Sequence, residues 1–345
     1  MSTIKDVARQ AGVSTMTVSR VINNTGYIRS ETRERVELAI SELGYLPNAL
    51  ARSLRFKQTK TIALVLTDIT NPFFTTVARG VEDAAGAQSF SVLFCNTDES
   101  ESAEGEYLSI LLQKQVDGVL LVPSSNESRA IPLLRARGVP VVTLDRCVND
   151  PSVDTVRGDS ERGAYELVRH LIGLGHTRIA VLTGTPSVST AIDRVAGYRR
   201  ALSEAGVGID PRLICSDDFS TEGGYRTTQQ LLALDPRPTA IFGGNNFIAF
   251  GAFRAMRQAG LQVPEDISLV AFDDLPESWL ITPFLTTVNQ PAYAIGQQAT
   301  ELLFDRLEGR GSPAARMIVL PGELIVRSSS APPPTDDGRR CHADD

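Results

Sequence analysis

The chain has 345 residues and a net charge of −7, but residues 1–60 hold ten Lys or Arg against five Asp or Glu, a net +5, so the remainder carries −12. A basic head on an acidic body points to polyanion binding confined to one end and excludes reading the acidic total as one uniform surface. Four cysteines (Cys95, Cys147, Cys215, Cys341) without CxxC spacing and three unclustered histidines argue against a disulfide framework or zinc site and for reduced thiols.

Residues 2–23, STIKDVARQAGVSTMTVSRVIN, read as two short helices about a glycine-centred turn. Thr3 and Asp6 have capping-box spacing and open a helix over Ile4–Gln10; Gly12 ends it, and Ser14 caps a second over Thr15–Asn23. Val7, Ala8, Ala11, Val13, Val18, Val21 and Ile22 pack the pair together. This is the layout of a helix-turn-helix, whose second helix enters the DNA major groove with its N-terminal residues on the base edges. The candidate DNA contacts are therefore Thr15, Met16, Thr17, Ser19 and Arg20, with Thr3, Ser14 and Asn23 beside them. A third helix follows, with Ser30 as cap, Gly44 as terminator and Val36, Ala39, Ile40 and Leu43 on its inner face. Pro47 opens a fourth element, Asn48 to Arg55.

In their order, IKDVA, AGVS, TVSRVIN, LGYLPN and ALARSL make the chain resemble the lac-repressor family of bacterial transcription regulators, from residue 2 to about 328. The resemblance implies that 47–59 is a hinge helix that folds on the operator and pairs with its partner's in the minor groove. Leu54 holds the position of the leucine that wedges open the central base step, Ala51 allows close helix contact, and Arg52 and Arg55 are available for phosphate or groove contacts. An apolar wedge exchanges unstacking energy for a bent and more extensive contact. So short a helix is marginal alone, which fits folding coupled to binding.

From Thr61 strands and helices alternate. Apolar runs at 62–67, 91–96, 118–123, 139–145, 178–184, 239–244, 267–274 and 285–290 are separated by helix-length amphipathic stretches, including 74–88, 104–115, 160–174, 191–205, 222–234 and 247–259. This alternation predicts doubly wound parallel sheets, and about 270 residues call for two lobes. The expected fold is a small all-α helix-turn-helix domain plus an α/β two-lobed core. The resemblance makes that core periplasmic-binding-protein-like, with the chain crossing between lobes near 157–162, 288–291 and 320–323.

Ligands of such sheets bind beyond the carboxyl ends of the strands. The residues there are Asn71 and Phe73 after the first strand, Asp145 and Arg146 after VPVVTL, Asn245 and Asn246 after TAIFGG, Asp273 and Asp274 after ISLVAF, and Gln290 after LTTVN. Arg194 lies at a helix start and Phe219 in the loop after LICS. Hydroxyl pairs can donate to the carboxylates and accept from Arg or Asn while apolar ring faces pack on Phe, which suits a sugar. The set is also similar to the pocket of ribose-type periplasmic binding proteins. That similarity implies Asn71 with Phe73 and Phe74, Asp145 with Arg146, Arg194, Phe219, Asn246, Asp273 and Gln290 as effector contacts. It also implies an unphosphorylated monosaccharide, a pentose such as ribose first; a sugar acid is within the same class. Purine-responsive family members carry an arginine where Val188 falls, which argues against a nucleobase. A protein corepressor, such as a phosphocarrier, is the alternative to a small molecule.

No GxGxxG follows a strand, and there is no P-loop or GxSxG elbow, so no cofactor is expected, and a regulator rather than an enzyme is. His176 reads as a structural residue between helix and strand. Asp217-Asp218 and Asp273-Asp274 lack the further ligands a metal needs. With neither a signal peptide nor a long apolar segment, a soluble cytoplasmic protein without membrane partners is expected. The expected divisions are a headpiece at 1–46, the hinge at 47–59, the core at 60–328 and a Pro-rich, disordered tail at 329–345. That tail has no leucine heptads, so a homodimer on a palindromic operator is expected.

Overall fold

The computed structural model describes residues 2–46, 58–128, 131–275, 283–310 and 314–334. The expected hinge contacts Leu54 and Arg55 lie outside the described residues. The chain divides into two units, Met1–Thr59 and Lys60–Asp345.

In the first unit α1 spans Ile4–Ala11. The Asp6 N–H donates to the Thr3 hydroxyl at 3.4 Å and the Thr3 N–H donates to the Asp6 carboxylate at 2.9 Å, a reciprocal capping box. Gly12, at φ +65°, ends the helix in the left-handed region. Helix α2, Thr15–Ile22, is capped by Ser14, which accepts from the Thr17 N–H at 3.1 Å. It stops one residue earlier than expected, with Asn23 as its C-cap. Helix α3, Ser30–Leu43, differs at its start: Arg29 is the extended N-cap residue and no side chain caps the helix. Ser30 already has helical geometry, one position too late to cap. Val7, Val18 and Val36 are wholly buried where the three helices meet.

The second unit holds two six-stranded sheets. The first contains β1 (Thr61–Leu66), β2 (Ser91–Asn96), β3 (Gly118–Leu121), β4 (Val141–Leu144), β5 (Asp154–Gly158) and, late in the chain, β11 (Met317–Leu320). Their order is β11-β5-β4-β3-β1-β2, all parallel. The second contains β6 (Ile179–Thr183), β7 (Ile214–Ser216), β8 (Ala240–Gly243), β9 (Ser268–Phe272), β10 (Thr286–Asn289) and β12 (Glu323–Ile325), in the order β12-β10-β9-β8-β6-β7. Only the β10–β12 pair is antiparallel among these.

Each sheet is covered on both faces, as parallel sheets require. Helices α4 (Pro72–Ala87) and α11 (Ala292–Leu307) cover one face of the first sheet, and α5 (Glu101–Gln113) and α6 (Ile131–Ala136) cover the other. On the second sheet α7 (Ser160–Gly173) and α8 (Ser189–Glu204) oppose α9 (Thr221–Leu232) and α10 (Asn246–Gln258). The chain crosses between lobes after β5, after β10 and after β11, at the three expected segments.

Two details were hidden in the sequence. Strand β5 opens on a buried charged residue: Asp154, 2% exposed, accepts from Arg306 Nε at 2.7 Å and from the Arg316 N–H at 2.7 Å. The core also continues past the expected boundary at 328. The Ser329 hydroxyl is wholly buried, donates to the Leu269 carbonyl at 2.6 Å and accepts from the Thr286 N–H at 2.8 Å. The Ala331 carbonyl then accepts from the Ser268 hydroxyl at 3.0 Å and meets His176 Nε2 at 2.8 Å. Residues 329–331 thus belong to the second lobe, and buried His176 is the structural residue that receives them. Among the described residues no helix is long and apolar enough to cross a membrane.

Candidate functional site

Two surfaces carry the candidate residues, one in each unit. On the headpiece, Thr15, Met16 and Arg20 are exposed along α2, Met16 at 64%. The other candidates are engaged within the domain. Thr3 is held by the capping box, the Ser14 and Thr17 hydroxyls lie 3.0 Å apart, and Asn23 Nδ2 donates to the Ser19 carbonyl at 2.6 Å. Tyr27, in the loop before α3, is 91% exposed and was not singled out from the sequence.

In the core, eight of the ten expected effector residues line one cavity between the lobes: Asn71, Phe73 and Phe74 from the start of α4, Asp145 and Arg146 after β4, and Arg194, Phe219 and Asp273 from the second lobe. Asn71 is the N-cap of α4 and accepts from the Phe73 N–H at 3.0 Å, which sets both rings. Asp145 and Asp273 both sit in the left-handed region, at φ +61° and +66°, a conformation a β-carbon normally avoids. The remaining two, Asn246 and Gln290, do not line the cavity and instead hold residues that do. Asn246 and Asn71 exchange amide hydrogen bonds of 3.0 and 3.1 Å across the cleft, while Gln290 Nε2 donates to Asp273 at 2.7 Å.

Sequence reading missed Asp68, Glu99, Thr190 and, as a lining residue, Asn245. Glu99 matters most. Its two carboxylate oxygens accept from both terminal nitrogens of Arg146 at 2.6 Å, a bidentate fork that occupies the end of the guanidinium. Arg146 is 3% exposed; burial works against its charge, yet Glu99, with Asp145 behind it, holds its pKa above the ordinary arginine value. Arg194, equally buried, stacks on the Phe272 ring at 4.1 Å and donates to the Gly244 carbonyl. Burial lowers its pKa despite Asp273 and Asp145 nearby. Burial also pushes the Asp273 carboxyl up to about 6, against the pull of Arg194 and Gln290.

Several of these groups are incompletely satisfied. Asp145 Oδ1, Arg146 Nε, Arg194 Nε and Gln290 Oε1 are buried without a hydrogen-bond partner in the protein. Two are donors and two acceptors. A buried polar atom left unpaired costs about 1–3 kcal/mol, and three of these atoms, on Asp145, Arg146 and Arg194, belong to residues lining the one cavity, which suits a polar ligand. The cavity has room for about 20 Å³, roughly one water. A larger cavity of about 660 Å³ lies behind Gln290, among the crossing segments. Its ion pair, Asp274 with Arg327 at 2.6 Å, is satisfied internally. The smaller cavity has the stronger chemical claim. No group of three His, Cys, Asp or Glu among the described residues is arranged to hold a metal.

Residues 59–320 match the family model for periplasmic binding proteins and the sugar binding domain of the LacI family, and residues 3–48 match that for bacterial regulatory proteins of the lacI family. The HTH-type transcriptional repressor PurR of Erwinia tasmaniensis is 40% identical over 342 residues, 99% of this chain and 100% of that protein. The lac repressor dimer bound to operator and the anti-inducer ONPF is similar at a TM-score of 0.85 and 31% identity, covering 96% of this chain and 99% of that one. A LacI family transcriptional regulator from Enterococcus faecium with bound ribose has a TM-score of 0.71 and 35% identity, over 79% of this chain and 99% of its own.

Proposed function

Because the chain belongs to the LacI family of bacterial regulatory proteins, we propose that this DNA-binding regulator represses transcription as a homodimer on a palindromic operator and is released by a monosaccharide bound between its lobes, a pentose first. The observation that carries the effector half is the set of three unpartnered polar atoms on cavity-lining residues, Asp145 Oδ1, Arg146 Nε and Arg194 Nε. A hydroxyl both donates and accepts, so a ring of hydroxyls can satisfy the acceptor on Asp145 and the donors on Arg146 and Arg194 together. The wrong epimer leaves one unpaired, which gives selectivity. Ribose in the Enterococcus relative supports a pentose.

For the DNA half, Thr15, Met16 and Arg20 read the bases from α2, while Leu54 wedges the central step and Arg55 contacts the backbone. Entry of a ring needs more than 20 Å³, so the lobes part, the Asn71–Asn246 pair breaks, and the cleft recloses on the ligand. Reclosure on a larger occupant sets a different angle between the lobes, and in a dimer this separates the hinge segments. A nucleobase is the second reading, favoured by the relative named PurR. Against it, the position where purine-responsive members carry an arginine holds Val188, the buried N-cap of α8, which brings no polar group.

The test is a thermal-shift panel of monosaccharides, sugar acids and purines on the whole chain, with calorimetry on hits. Binding of a sugar that Arg194→Ala abolishes supports the reading. Binding of purines alone replaces it.

A further inference from the structure

The interlobe cleft has an outer compartment as well as an inner one. Beyond the inner cavity lies a mouth of about 470 Å³, and Asp68, Glu99 and Phe219 line both. Its carboxylates come from Asp68, Asp98 and Glu99 of the first lobe and Asp218 of the second, and no Lys, Arg or His is among its described lining residues. Two of the four are compensated from outside: Glu99 by Arg146 and Asp218 by Arg226 at 3.6 Å. The other two are not. Asp68 accepts from the N–H and hydroxyl of Thr70, at 2.8 and 2.6 Å, and Asp98 accepts from the Asn96 amide at 2.6 Å, all neutral donors.

A second observation points to a ligand at the same place. The Thr67 hydroxyl, on the wall of this mouth, is wholly buried and has no hydrogen-bond partner. Uncompensated carboxylates beside an unpaired hydroxyl repel a phosphate or carboxylate and favour a compact cation with several donors. A bare metal ion is not the answer, since no three ligating side chains among the described residues converge.

Resting on the sugar-effector reading above, we propose that the ligand is an amino sugar. Its hydroxylated ring occupies the inner compartment, and its ammonium group projects into the mouth toward Asp68, Asp98 and the Thr67 hydroxyl. Charge-assisted hydrogen bonds are about twice as strong as neutral ones, so the amine adds affinity rather than merely being tolerated. The same carboxylates reject sugar phosphates and sugar acids, which makes the mouth a charge filter in front of a hydroxyl-selective pocket.

The test is calorimetry of the full chain with matched probes: pentoses and hexoses, their 2-amino and terminal-amino derivatives, the N-acetylated forms of these, and the corresponding terminal phosphates. The expected result is that one amino sugar binds at least about tenfold tighter than its neutral parent. N-acetylation should remove that gain, and the phosphate should bind more weakly than the parent. Asp68→Asn should erase the difference between amine and parent while the parent's own affinity changes less. Asp98→Asn, at an exposed position, repeats the comparison if the first variant folds poorly. Neutral parents that bind as tightly as their amines would overturn the proposal and leave the sugar reading standing. If no sugar of any charge binds, both fall.

Discussion

Asp145 and Asp273 occupy equivalent places in the two lobes. Each follows the third strand from the crossover edge of its sheet, β4 in one and β9 in the other. Each has a positive φ, +61° and +66°, and each donates its N–H to the neighbouring strand, to the Val156 carbonyl at 2.9 Å and the Val288 carbonyl at 3.0 Å. The same strained backbone turn presents a carboxylate to the cleft from both sides, so the repeated lobe architecture creates a two-jawed polar site. Strain held identically in two lobes is maintained by the ladders around it and points to a shared use.

Asp273 gives a prediction on stability and pH. Its carboxyl titrates near 6 in the fold against about 3.9 in an unfolded chain. Between those values the folded state holds a proton that the unfolded state has lost, so this group's contribution falls as pH rises from about 4 to 6 and stays low above that. The cost above pH 7 is roughly 3 kcal/mol. Asp273→Asn tolerates the positive φ and cannot ionise. The melting temperature of the variant relative to the native chain should therefore rise between pH 4.5 and pH 7.5. A difference that stays flat or falls across that window contradicts the assignment.

Two glycines shape the cleft by what they lack. A β-carbon on Gly184 would lie 2.0 Å from the Phe219 ring, and one on Gly158 would lie 1.8 Å from Gln290 Oε1. Gly184→Ala should push Phe219 off the cavity and off its position 5.3 Å from Arg146, weakening effector binding by about tenfold or more with operator affinity unchanged. Gly158→Ala should do the same by releasing Asp273 from Gln290. Titration of ligand and of operator into each variant checks both halves. Normal ligand affinity in Gly184→Ala would remove Phe219 from the site.

How much of this was legible follows from the kind of signal each residue carries. Strand-end position identified Asp145, Arg146 and Asp273, because parallel sheets put ligands there whatever the sequence. Asn245 and Asn246 both follow β8, and which one faces the cavity depends on helix register: Asn245 caps α10 and lines the cavity, while Asn246 reaches Asn71. Glu99 and Asp68 stayed hidden because their roles depend on pairing across loops, Glu99 at φ +60° with Arg146 forty-seven residues away. Strand β5, DTVRG, lacked the apolar run of its neighbours because Asp154 is paired inside the fold with Arg306. The tail's polar composition concealed Ser329, whose hydroxyl satisfies backbone groups of two strands.

The tail boundary is open to direct measurement. Ending the chain after Pro334 should leave the melting temperature unchanged. Ending it after Ser328 removes the hydrogen bonds of Ser329 and Ala331 to Leu269, Thr286, Ser268 and His176. Unpaired buried groups should then cost several kcal/mol in total. Equal stability of the two truncations would return the boundary to 328.

On the headpiece, the proposed base readers Thr15, Met16 and Arg20 are exposed, whereas Thr3 is held in the capping box. Arg20→Ala should weaken binding to a selected operator by about 1–3 kcal/mol and relax preference at one base position, with little change on random duplex. Thr3→Ala should instead lower headpiece stability by about 1 kcal/mol through the lost capping box. Binding to selected and random duplexes at two salt concentrations distinguishes these. An equal loss on both duplexes for Arg20→Ala would make it a phosphate contact rather than a reader.

The central claim is that cleft and DNA surface are linked. The most direct measurement is operator affinity of the full chain, on a duplex selected from random sequence, with and without saturating sugar. Family membership and the closed polar cleft lead us to expect a loss of about 5–150-fold with sugar, and an equal loss of sugar affinity when operator is bound. Operator affinity that does not change when the cleft is saturated would contradict the account.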